Sequence, residues 1–116
     1  VIVDVDGPVD IVRLIRDARA AGREVHLVPA GADRAESLAS FGRSLAFPSW
    51  VGVDLEALAD SLTAYLSETT QDQEIIWDGA TTLADRDPQG FEAIRSLLEA
   101  VSRDHPTLHV TVVHRL

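Results

Sequence analysis

The sequence predicts an α/β fold built on a small parallel sheet, and three observations predict it. Short β-branched apolar runs alternate with stretches of helical periodicity from one end of the chain to the other. Successive runs are far enough apart to hold a helix, which is what a parallel pair requires of its crossover. The chain has 116 residues, 46% of them hydrophobic, the size of one domain with a core of its own. No internal repeat, low-complexity run or domain boundary interrupts it, so residues 1–116 read as a single domain.

Val1 to Val5 reads as the first strand, ended by Gly7-Pro8, with Pro8 placed to open a helix. That helix spans Val9 to Ala21, with Ile11, Val12, Leu14, Ile15 and Ala18 at helical spacing and Gly22 as its terminator. Glu24 to Val28 is the second strand, closed by Pro29-Ala30-Gly31. Asp33 and Glu36 form the two halves of a capping box for a helix from Arg34 to about Ala46, with Leu38, Phe41 and Leu45 inward.

Phe47 to Gly52 reads as a loop, because Pro48 disfavours helix at Phe47 and Gly52 permits a turn. Asp54 caps the next helix, whose Leu55, Leu58, Leu62 and Leu66 fall on one stripe and should be buried. Glu56, Asp60 and Thr63 lie roughly 120° around from that stripe, so the two carboxylates should face solvent. No lysine or arginine stands between them, and like charges at i and i+4 slightly destabilise a helix.

A polar break from Ser67 to Asp72 leads to a third strand, Glu74 to Trp77, with Trp77 expected in the core. Asp78-Gly79 is a turn signal. Ala80 to Arg86 reads as a short helix. Asp87-Pro88 are N-cap and first residue of a helix reaching about Arg103, with Phe91, Ile94, Leu97, Leu98 and Val101 as its apolar set. His105-Pro106 ends it, and Leu108 to Val113 is the last strand.

Composition narrows the chemistry. The absence of cysteine excludes disulfides, thiol catalysis and cysteine-ligated zinc. The formal net charge is −9 and all 10 basic residues are arginine, which argues against nucleic acid or an anionic membrane as partner and for a basic protein. No signal peptide or membrane span is expected, since no apolar run approaches the ~20 residues a span needs. His26, His105, His109 and His114 suggest no metal site, since His109 and His114, five apart on a strand, point to opposite faces.

Val-Ile-Val-Asp-Val-Asp-Gly-Pro-Val, residues 1–9, resembles the start of haloacid-dehalogenase-type phosphatases, with Asp4 as nucleophile beside magnesium. The resemblance breaks at Pro8, where that family has threonine. It also lacks a lysine and a late acidic pair for the metal.

A second resemblance is longer and ordered. Phe47, Pro48, Trp50 and Gly52, then Asp54, Leu55, Glu56, Ala57, Leu58, Asp60 and Leu62, follow the pattern of the barstar family, intracellular protein inhibitors of microbial guanyl-specific ribonucleases. It continues through Glu74-Ile75-Ile76-Trp77-Asp78-Gly79 and from Phe91 to Ala100, so that residues 23–116 make the family core and 1–22 a strand–helix extension.

The resemblance implies three core strands, a fourth N-terminal edge strand, and helices packed mainly on one side. It implies a non-catalytic cytoplasmic inhibitor without cofactor or metal, monomeric and binding one basic secreted ribonuclease. An immunity protein for another nuclease toxin is the alternative. The implied contact set is Trp50, Gly52, Asp54, Glu56, Ala59, Asp60, Thr63, Tyr65 and Glu99. Asp60 matches the family's key aspartate, which takes the place of substrate phosphate. Glu56 matches a contact aspartate but is one methylene longer, and Glu99 matches a glutamate of the late helix beside the same surface. Ala59 stands where well-known members have tryptophan, Val51 where they have an aromatic residue and Val53 where they have a polar one.

Overall fold

The computed structural model describes residues 1–48 and 53–115. Its elements are β1 (Ile2–Asp6), α1 (Ile11–Ala20), β2 (Glu24–Pro29), α2 (Arg34–Ser44), α3 (Leu55–Ser67), β3 (Gln73–Asp78), α4 (Ala80–Arg86), α5 (Pro88–Asp104) and β4 (Leu108–His114). The four strands form one all-parallel sheet in the order β1-β4-β3-β2. The N-terminal strand is therefore an edge strand, as expected, and it pairs with the last strand of the chain, Ile2 opposite Val110.

This order fixes where the helices go. The steps from β2 to β3 and from β3 to β4 move the same way across the sheet, so right-handed crossovers put α2 to α5 on one face. The step from β1 to β2 runs back from one edge to the other, and the same handedness puts α1 on the opposite face. Burial agrees. Val28, Ile75, Trp77, Leu108, Val110 and Val112 join residues of α2 to α5 in one core. Ile76 and Val113, which alternation turns to the other side, are buried as well, and α1 packs against β2 there. Trp77 has no exposed surface, stacks on Phe91, and donates its indole N–H to Ser37 Oγ at 3.3 Å.

The helix ends explain themselves locally. α1 starts at Ile11 rather than at Pro8, because the Asp10 side chain accepts from the amide of Arg13 and so sets the boundary. It ends in a Schellman turn, with Gly22 at φ +81° and the amide of Arg23 on the carbonyl of Ala18. α2 ends in the same turn two residues earlier than predicted. The amide of Phe47 reaches the carbonyl of Gly42, with Ala46 at the left-handed position, φ +56°. Leu58, Leu62 and Leu66 of α3 are buried, whereas Leu55 is half-buried because it opens the helix and packs against the core from its edge.

Candidate functional site: the outer face of α3

α3 owes its start to Asp54, whose carboxylate accepts from the amide of Ala57 at 2.7 Å. The three buried leucines pin the helix to the core, and this leaves Glu56, Asp60 and Thr63 exposed on the outer side. Neither Glu56 nor Asp60 has an ion-pair partner among the described residues. Glu56 gains from its place in the first turn, where the helix dipole favours a negative charge. Ala59 is half-buried at the margin of this face. Two carboxylates one turn apart, flanked by small side chains on a rigid helix, can receive cations in a charge-assisted, bidentate manner.

The other expected contacts are placed differently. Trp50 and Gly52, with Val51, lie outside the described residues. Asp54 is exposed but one of its oxygens is committed to the cap. Tyr65 is half-buried at the far end of α3. Its hydroxyl donates to Gln73 Oε1 at 3.2 Å, and its ring meets His26 edge-on at 5.7 Å. Burial, with Glu24 nearby, pushes the Tyr65 phenol up from its ordinary pKa. The network continues through Gln73, which lies 2.8 Å from His26 Nε2 and donates to Glu24.

Glu99, expected beside the acidic face, is paired with Arg95 at 3.3 Å on α5. Arg95 also clasps Asp4 of β1, so this flank of α5 faces the N-terminal strand. Asp4 takes a further bond from His114 at 3.0 Å. The Arg95 bond, and then the His114 bond, hold its carboxyl below the usual carboxylate pKa, although partial burial opposes them. The aspartate that opens the phosphatase-like motif is thus bound into the fold by the side chains of Arg95 and His114.

Sequence reading did not mark two features of the described chain. One is Glu74, buried on the α1 side of β3, with Oε1 on Arg23 at 3.1 Å and Oε2 without a hydrogen-bond partner among the described residues. Its only signal was an acidic residue at the head of an apolar strand. The other is a groove between the first turns of α2 and α3, lined in part by Arg34, Leu38 and Val53. No local pattern announces it, since its two walls come from separate helices. Among the described residues no three acidic or histidine side chains are grouped as metal ligands would be, and no helix is long and apolar enough to cross a membrane.

Among curated proteins none is similar enough in sequence to match this chain. A family model does match it: Barstar (barnase inhibitor), over residues 14–114. With the all-parallel α/β sheet and the acidic helix it places, that match over most of the chain shows that the protein belongs to the barstar family of non-enzymatic inhibitors of barnase-type ribonucleases.

Proposed function

We propose that this protein inhibits a secreted guanyl-specific ribonuclease by forming a one-to-one complex in which the outer face of α3 fills the enzyme's active site. The supporting observation is the pair Glu56 and Asp60, exposed one helical turn apart on α3 and without cation partners among the described residues. A ribonuclease holds phosphate with cationic side chains, and Asp60 offers those groups a carboxylate in its place. Glu56 supports it from the preceding turn, with Ala59 and Thr63 forming the small-residue surround.

Trp50, Gly52, Asp54, the ring edge of Tyr65, and Glu99 complete the proposed contact set. In this reading the protein is one domain, its residues 1–22 extend the family core, and it acts in the cytoplasm of the cell that makes the enzyme. The net charge of −9 draws a basic enzyme toward this surface, more strongly at low salt.

Titration into a panel of barnase-type ribonucleases tests this. One equivalent should abolish the activity of at least one of them, and Asp60→Ala should lose that inhibition without losing its fold. Failure to inhibit any member would reject the proposal.

A further inference from the structure

Beside the acidic face lies a groove of about 390 Å³ whose apolar lining is outside the proposed contact set. Ala35 and Leu38 of α2 line one wall, and Val53 and Leu55 line the other. Leu38 is buried and Leu55 half-buried, both packed with the core, so these parts of the lining are held in place. Val53 is 57% exposed, in the turn just before Asp54. The charged lining is of mixed sign, Arg34 against Asp54 and Glu56. Asp54 is further engaged by the amide of Ala57.

Glu56 lines this groove and also stands on the acidic face. Any protein engaged at Glu56 therefore lies against one wall of the groove. The mixed charge selects neither a cation nor an anion, whereas the apolar lining favours an apolar group once water is displaced. Interfaces draw much of their affinity from a side chain seated in such a pocket, ringed by polar contacts. We infer that the α2–α3 groove is a second anchor of the interface and receives an apolar side chain of the ribonuclease next to Glu56. This rests on the ribonuclease-inhibitor reading above, and it adds a determinant of which enzyme is bound.

Val53 also stands at a position with a local role. It precedes the N-cap, where an apolar residue can staple the helix through the residue at Leu58. The two roles separate experimentally. Val53→Asn removes the apolar wall and Ala35→Phe, at an exposed position of α2, fills the groove; neither changes the charge. The probe is a barnase-type ribonuclease that the wild-type protein inhibits.

Both variants should dissociate roughly tenfold faster, the scale of a lost apolar contact in a pocket, with association rates and melting temperatures close to wild type. Dissociation within twofold of wild type for both, while Asp60→Ala dissociates faster, overturns the inference and leaves the inhibitor reading standing. A lowered melt for Val53→Asn with unchanged dissociation assigns Val53 to the staple and likewise overturns it. If the wild-type protein inhibits no ribonuclease of the panel, the inhibitor reading itself fails, and this inference with it.

Discussion

Asp87 caps a helix that begins far before it in the chain: its Oδ2 accepts from the amide of Arg34 at 3.1 Å, across 53 positions of sequence. Its Oδ1 accepts from the amide of Gly90 at 3.0 Å and caps its own helix, α5. One carboxylate thus joins the N-termini of α2 and α5, and through α2 it steadies one wall of the groove beside Glu56. Gly90 makes room for this, since a Cβ there would sit 2.5 Å from Asp87 Oδ2.

Replacing Asp87 with alanine removes both caps. At about 1 kcal/mol for each lost cap, the loss should be about 2 kcal/mol, measured by chemical denaturation. Gly90→Ala should be destabilising by the same route, since its methyl group displaces the carboxylate. An Asp87→Ala protein as stable as wild type would show that the shared cap is energetically idle.

Ala46 holds a left-handed conformation, φ +56°, that a side chain resists. Glycine has no Cβ to clash there. Ala46→Gly should therefore stabilise the protein by about 1 kcal/mol, visible as a rise in melting temperature. It should leave the Schellman turn of α2 intact. A fall in stability would mean that the freedom glycine gains in the unfolded chain outweighs the relieved strain.

Glu74 predicts a pH dependence of one sign. Burial raises its carboxyl above the ordinary pKa, and the Arg23 charge and hydrogen bond only partly offset that. The folded protein then binds this proton more tightly than the unfolded chain. Its contribution to stability is fully present below the unfolded pKa and is lost as pH rises through the folded pKa. Glu74→Gln should gain relative to wild type as pH rises from acid to neutral. Arg23→Ala strands the carboxylate and should cost on the order of 2 kcal/mol at neutral pH, with the penalty shrinking in acid. Asp4 has the opposite sign. Its lowered pKa gives stability that is present above the unfolded pKa and lost as pH falls through the folded one, so Asp4→Asn should flatten the acid limb of the stability curve.

Asp60→Ala separates binding from folding. Asp60 is exposed and outside the leucine stripe, so its loss should change stability by less than about 1 kcal/mol. It also removes a like charge one turn from Glu56. In the complex, the enzyme's cations would be left buried and unpaired, a cost of about 3–5 kcal/mol and so at least about a hundredfold in the dissociation constant. Inhibition assays alongside thermal melts check both halves. Normal melting with undiminished inhibition would remove Asp60 from the centre of the mechanism.

Local chemistry in the sequence was enough to determine the elements and their order. Alternating β-branched runs, the caps Asp33, Asp54 and Asp87, and Gly22 act within a few residues, so their effects are written where they occur. The same holds for the acidic face: the spacing of Leu58, Leu62 and Leu66 settles which side of α3 is buried, and Glu56 and Asp60 follow by helical geometry. Tertiary structure alone decided which distant groups meet. The strand order places β1 beside β4, which brings Asp4 to Arg95 and His114 and turns a phosphatase-like motif into a structural clasp. It also buries Glu74 on the α1 side, turns Glu99 toward Arg95, and draws Tyr65 into the network of His26 and Gln73. These pairings depend on packing across the sheet and between helices, and no window of neighbouring residues carries that information.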